Sequence, residues 1–246
     1  MRNMLMVVLA AMTVCMSAVA QEKVTELEKS RKAVDTFFEQ FAQKRDTIGT
    51  FEGQFHQVIA APEETIDANG TLVYVKPKNL LFRYTDTDEN ATFLIHNRRV
   101  YEYSQENKQL DIYDLDDDPQ TQMFFLGFDA DTETLLQAYD VSLFAPDKGV
   151  APGASQGLMI KPKENADASA EDLNRDKQTS TFKEVKLFLR ESDYLPVRIE
   201  LINEDDSKTT LTVSDFKVRS KPSPDKVKVS IAEDTKVIEN GRFIEK

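Results

Sequence analysis

Hydrophobic and polar positions change their period along the chain, and each change marks a different element. Val24, Leu27, Val34, Phe38 and Phe41 recur at helical spacing, Phe37 widens the stripe, and Glu26, Glu28, Lys29, Lys32 and Asp35 lie opposite. This pattern predicts an amphipathic helix that needs an apolar surface to lie on, with Arg31 snorkelling at its margin. From Phe51 the period becomes two. Phe51, Gly53, Phe55, Gln57 and Ile59 share one face, Glu52, Gln54, His56 and Val58 the other, and Ala61-Pro62-Glu63-Glu64 supplies a turn. The return strand carries Ile66, Ala68, Gly70, Leu72, Tyr74 and Lys76 on one side, which makes a long hairpin. Gly70 lies inside that strand, where glycine commonly marks a bulge or a bend.

Shorter strands are predicted at Asn79–Tyr84, Thr92–His96, Arg99–Tyr103 and Gln109–Leu115, spaced as an antiparallel meander. The alternation then fails. Asp114 to Asp118 is acidic, Pro119 can open a helix, Met123 to Phe128 is too apolar for a solvent loop, and Asp131 is placed to cap a helix over Thr132–Tyr139. Two short helical segments therefore interrupt the sheet. Strands resume at Val141–Phe144 and Gly157–Lys161, and a polar stretch from Lys163 to Ser180 reads as an exposed loop. Val185, Leu187 and Leu189, then Leu195, Val197, Ile199 and Leu201, then Thr209–Val218 and Lys226–Ile231 complete the strand set. Asn203 to Ser207 is a hairpin turn by composition. The sum is an α+β chain, mostly β.

The first residues stand apart from this pattern. Arg2, an apolar run from Met4 to Val14, and small residues at Ala18 and Ala20 predict a secretory signal peptide over residues 1–20, cleaved before Gln21. A membrane anchor needs about 20 apolar residues and the run is too short. Residues 21–246 then form a single domain with a substantial core. The one Cys of the chain, Cys15, falls inside the leader, so the exported part has neither a disulfide nor a thiolate metal site. With 31 Lys and Arg against 43 Asp and Glu, the net charge is −12, which argues against nucleic acid and anionic bilayers as partners.

Catalytic and metal chemistry is thin. His56 and His96 fall on faces opposite the aromatic stripes of their strands and read as surface residues. Asp114, Asp116 and Asp118 imitate the start of a calcium loop, but Pro119 occupies the position needing Gly and Phe125 the position needing an acid. No nucleophile sits in a recognisable pairing with a base. The strands instead carry many aromatic residues: Phe51, Phe55, Tyr74, Phe82, Tyr84, Phe93, Tyr101 and Tyr103. A large curling sheet plugged by helices leaves two options for them, a filled core or an apolar pocket, and periodicity does not choose.

Four segments carry a resemblance: Phe51-Glu52-Gly53-Gln54-Phe55-His56-Gln57, Gly70-Thr71-Leu72-Val73-Tyr74-Val75-Lys76-Pro77, Leu81-Phe82-Arg83-Tyr84 and Val100-Tyr101-Glu102-Tyr103. In that order the chain resembles the periplasmic outer-membrane lipoprotein carriers, the LolA-like family. The resemblance implies an incomplete antiparallel β-barrel, a half-barrel, with an N-terminal amphipathic helix and short mid-chain lid helices over a hydrophobic cavity. It implies a wall built from Phe51, Phe55, Leu72, Tyr74, Leu80, Phe82, Tyr84, Phe93, Ile95, Tyr101 and Tyr103, and a lid contributed by Met123, Phe125, Leu126, Leu135 and Leu136. The implied cargo is lipoproteins or their acyl chains, taken from an inner-membrane ABC-type release complex and delivered to an outer-membrane receptor by a periplasmic monomer without catalysis or cofactor. Lys76 stands where the family commonly has an Arg that fastens the lid through helix carbonyls. It shares the parity of Leu72 and Tyr74 but lacks Arg's planar fork. Arg83 has the opposite parity and should point outward. The Lys163–Ser180 loop is longer than the family pattern requires. A periplasmic lipid- or partner-sensing regulatory domain of the same fold is the alternative.

Overall fold

The strict alternation from Phe51 onward yields strands that pair with their sequence neighbours. In a computed structural model, which describes residues 28–85, 90–115, 125, 128, 132–163 and 182–244, the chain divides into two compact units, residues 1–40 and 41–246. The expected leader and its cleavage site, Val24 and Leu27, Asp116, Asp118, Pro119, Met123, Leu126, Asp131 and the segment 164–180 lie outside the described residues. In the first unit the described residues are helical, part of helix α1 (28–46). Val34, Phe37 and Phe38 are its buried positions, Arg31 is exposed, and the two Phe rings meet edge to face at 5.3 Å.

The second unit is built on one 13-stranded sheet. The strands are β1 (Thr50–Ala60), β2 (Thr65–Val75), β3 (Asn79–Tyr84), β4 (Thr92–His96), β5 (Arg99–Ser104) and β6 (Gln109–Asp114), then β7 (Tyr139–Phe144), β8 (Ala154–Pro162), β9 (Phe182–Arg190), β10 (Pro196–Asn203), β11 (Lys208–Arg219), β12 (Lys236–Glu239) and β13 (Arg242–Ile244). Helix α2 (Thr132–Ala138) precedes β7. Their order across the sheet is β13-β12-β6-β5-β4-β3-β2-β1-β11-β10-β9-β8-β7, so β1 joins two antiparallel meanders and the sheet stays open. The expected meanders are present, with the hairpin β1–β2 at their centre.

Three local expectations change. Gly70 makes no bulge: the β1–β2 ladder runs through it, pairing it with Phe55. A Cβ there would lie 2.1 Å from the Arg83 carbonyl oxygen and 2.6 Å from Phe55 Cζ, so the glycine exists for close approach. The bulge falls instead between β1 and β11, at Glu52/Gln54, where Asp215 takes φ +52°. The extra residue on β11 keeps Phe216 on the same side as Val213 and lets it stack on Phe51 at 5.4 Å. The third change concerns the expected strand Lys226–Ile231. Pro224–Lys226 is a 3-10 turn, and residues 227–232 join no ladder.

That segment covers the outer face of the sheet. Val227 packs with Val73, Val75, Leu81 and Leu94, and Tyr101 and Val229 join at the margin. Arg83 does point outward, and its guanidinium donates to the Lys228 carbonyl at 3.0 Å and the Lys226 carbonyl at 3.4 Å. Glu52 pairs with Arg219 and, at 3.3 Å, with Lys226. Burial pushes the Glu52 carboxyl up, yet the two cations outweigh it and hold it below its ordinary value. Beyond the strap the chain enters the sheet edge as β12, parallel to β6, and turns through Asn240-Gly241 into β13. Both turn residues have positive φ, 47° and 76°, the geometry of a two-residue type I′ hairpin.

Within the second unit the β9–β10 turn holds residues 41–45. Phe41 stacks on Tyr194 at 6.5 Å, the Lys44 ammonium lies 4.0 Å from the centre of that ring, and Arg45 Nη2 donates to the Tyr194 carbonyl at 2.5 Å. Lys44 also donates to the Glu191 carbonyl. Asp193 organises the turn by accepting from the Arg190 guanidinium and from Leu195 N–H at 3.0 Å.

Candidate functional site

Register carries one apolar face across the sheet. Phe55 pairs with Gly70 and Gly70 with Tyr84, Leu72 with Phe82 and Phe82 with Phe93, Tyr74 with Leu80 and Leu80 with Ile95, and Ile95 with Val100. On this inner face Ile48, Phe51, Phe55, Leu72, Tyr74, Leu80, Ile95, Val100, Leu195, Leu211 and Val213 form one buried cluster. Nine of the eleven expected wall residues lie here. Phe51, Leu72, Leu80 and Ile95 are all but fully buried, whereas Phe82, Tyr84, Phe93, Leu115, Ile199 and Phe216 at the margin keep part of their surface exposed. The rings meet edge to face: Phe55 with Tyr84 at 5.1 Å, Phe55 with Phe82 at 5.4 Å, Phe82 with Phe93 at 6.4 Å. Such contacts add about 0.5–1.5 kcal/mol per pair to the area they bury.

Tyr101 and Tyr103 do not belong to this wall. The β4–β5 turn is the two residues Asn97 and Arg98, both at positive φ, so His96 pairs with Arg99, Ile95 with Val100 and Phe93 with Glu102. Val100 and Glu102 are therefore the inner positions of β5, and both tyrosines face outward. Tyr101 packs at the margin of the outer cluster, and the Tyr103 hydroxyl accepts from Ala232 N–H at 3.3 Å.

Two residues of the mid-chain segment lie on the wall. Phe125 and Phe128 are both buried in its cluster, and Phe128 stacks on Tyr74 at 5.7 Å and on Phe51 at 6.0 Å. Leu135 of α2 is buried and Leu136 half-buried. Phe128 was not among the expected lid residues, although it ends the apolar run that marked the lid. The carbonyls at the end of α2 are held by a lysine other than the expected one: Lys163 Nζ donates to Leu136 at 2.6 Å and to Gln137 at 3.1 Å, and its own N–H to Ala138 at 3.3 Å. A cation over unpaired C-terminal carbonyls satisfies them and complements the helix dipole. Lys76 pairs instead with Asp46 at 3.0 Å, and its backbone N–H donates to the Gly49 carbonyl.

The wall is apolar except at one edge. Gln57 and Tyr84 meet there, the Tyr84 hydroxyl donating to Gln57 Oε1 at 2.7 Å. Burial, and then the nearby Glu102 carboxylate, push the Tyr84 phenol up, so it remains a donor at neutral pH. Further along the inner face Glu102 pairs across strands with Asp111, and Tyr113 beside them is raised by partial burial and by both carboxylates. Neither histidine joins the wall: His56 meets Asp67 at 2.7 Å on the exposed outer side, and His96 meets Asn79. Among the described residues no group of three His, Cys, Asp or Glu is placed to hold a metal ion, and no helix is long and apolar enough to cross a membrane.

The fold has solved counterparts at low identity. An uncharacterized conserved protein from Thermus thermophilus aligns at a TM-score of 0.50 and 11% identity, covering 82% of this chain and 98% of that one. A LolA superfamily protein from Nitrosomonas europaea aligns at 0.40 and 13%, covering 78% and 97%. The Pseudomonas aeruginosa MucA/MucB complex aligns at 0.44 and 14%, covering 78% of this chain but 60% of that one. No curated protein matches the sequence. Residues 46–230, which take in the whole wall, its aromatic cover and the outer strap, match the family of outer membrane lipoprotein carrier protein LolA, and the chain belongs to that family.

Proposed function

We propose that the inner face takes up the acyl chains of lipoproteins and that the protein carries them through the periplasm from an inner-membrane release complex to an outer-membrane receptor, without catalysis. The observation that carries this reading is the gradient along the wall. Its floor is buried under Phe125 and Phe128, while Phe82, Tyr84 and Phe93 at the margin retain exposed apolar surface that costs free energy in water. Burying an acyl chain is worth about 0.8 kcal/mol per methylene, on the order of ten kcal/mol for a long chain, so a soluble carrier has to enclose it. The cover is positioned to exchange its own contacts for cargo, because Phe128 meets the wall through apolar and ring contacts, with no hydrogen bond to it among the described residues. Release then requires a receptor that binds the chain or the open cover better than the closed protein does.

Residues 1–20 act in this reading as a cleaved leader and residues 21–246 as the carrier. Lys76 fastens the cover by leaving Asp46 for lid carbonyls. The deciding experiment incubates the mature protein with a purified triacylated lipoprotein and then with outer-membrane vesicles bearing the receptor. A soluble complex followed by transfer is expected. Failure to keep the lipoprotein soluble, together with capture of a membrane-protein partner, would replace the carrier by a partner-sensing domain.

A further inference from the structure

The acyl wall ends in a hydrogen-bonding pair that an apolar cavity has no need of. Gln57 follows Phe55 on the inner face of β1, opposite Ala68 of β2 and Leu211 of β11. Its amide oxygen is taken by the Tyr84 hydroxyl at 2.7 Å, and its amide nitrogen has no other partner among the described residues. The half-buried Gln57 amide nitrogen is open to water, so a chain that brings its own carbonyl oxygen replaces a hydration contact there, whereas a plain hydrocarbon only takes that contact away. Phe55 lies 5.1 Å from the Tyr84 ring and 5.4 Å from Phe82, so the apolar contact surface leads directly to that donor.

We propose that Gln57, held by Tyr84, is a carbonyl-recognising subsite of the acyl wall, which selects ester- or amide-linked acyl chains over free fatty-acid anions and plain hydrocarbons. The inference rests on the acyl-binding reading and adds the identity of the head that the site accepts. The amide N–H group donates to a neutral carbonyl oxygen at the top of the chain, while the phenol fixes which way the amide points. A carboxylate is disfavoured by charge. Glu102 and Asp111 pair with each other on the same face, and no inner-face position of β1 to β6 is Lys or Arg to compensate them. The head selected is therefore uncharged, as it is wherever a fatty acid is condensed onto an alcohol or an amine.

The test uses the mature chain with a neutral naphthylamine fluorophore as apolar probe, displaced by methyl laurate, by laurate and by an alkane of matching length. The wild type should prefer the ester over the alkane by about threefold to tenfold, the worth of one neutral hydrogen bond, and should bind laurate least well. Gln57→Met keeps the side chain's length and removes the donor, so the ratio of ester to alkane should fall to about one. Tyr84→Phe should lower it partway. Circular dichroism and the thermal midpoint check that each variant folds, and the ratio is internal to each protein. An unchanged ratio in Gln57→Met, or laurate competing as well as the ester, overturns the subsite and leaves the acyl wall standing. A probe that binds no form overturns both.

Discussion

Gly70 supports the wall by lacking a side chain, and Gly70→Ala tests that claim directly. The new Cβ would sit 2.1 Å from the Arg83 carbonyl oxygen and 2.6–2.7 Å from two atoms of the Phe55 ring, against a floor near 3.0 Å for real contacts. The ring can retreat by tilting, but the carbonyl belongs to the neighbouring strand and has to move by about an ångström. Overpacking of this kind costs about 1–3 kcal/mol, and the backbone clash places this case at the upper end. With a urea dependence of about 2 kcal/mol per molar, the unfolding midpoint should fall by about 1–1.5 M. Phe55→Leu in the Gly70→Ala background should recover only part of the loss, because the Arg83 carbonyl still obstructs. The cycle of single and double variants isolates that coupling. A midpoint shift below about 0.3 M, or full recovery in the double variant, would refute the close-packing account.

Three other expectations follow from the same geometry. Phe82→Leu should weaken binding of the neutral probe about threefold or more by removing wall surface, whereas Tyr101→Leu, on the outer face, should leave it within about twofold; equal effects would contradict the assignment of faces. Lys163→Met should speed amide exchange in α2 by about threefold to tenfold without moving the global unfolding midpoint, since the lysine holds only that helix's terminal carbonyls. Asp193 is pushed up by burial but held below its ordinary value by the Arg190 guanidinium and Leu195 N–H. Its stabilisation is accordingly complete above the unfolded carboxylate value of about 3.9 and is lost as pH falls through the depressed folded value. Asp193→Asn should therefore lower stability at neutral pH and flatten its acid limb, and a limb as steep as the wild type's would count against that role.

Alternation made β1 legible because one side of it is buried, Gly53 and Phe55 being covered while Gln54 and His56 are exposed, and it marked β2 as well, although Leu72 to Val75 are buried on both faces. The face of β5 was harder, because Val100 and Glu102 compete with Tyr101 and Tyr103 for the inner side and aromatic residues are the louder signal. The turn was the better guide. Two residues between His96 and Arg99 force those to pair, which sends Phe93 opposite Glu102. Lys226–Ile231 alternates because Val227 and Val229 lie against the outer face while Lys228 and Ser230 are exposed, and alternation reports burial of a side rather than membership of a ladder. Asn240-Gly241 was the available cue to β13, a two-residue hairpin signal near the end of the chain. Lys163 and Phe216 left no comparable trace. One acts across 26 residues on a helix end, and the other reaches the inner face only because a bulge inserts Asp215.

The parallel seam between β12 and β6 imposes an order on assembly. A hairpin cannot make it: residues 236–239 must first travel across the back of β2 to β4 before they can meet residues 109–112. During synthesis β6 is thus a naked strand edge, open to any passing segment, until residues 236–239 emerge. Chains that stop short of Lys236 should aggregate through that edge even with every wall residue intact, which makes the tail the guardian of solubility for a site it never touches.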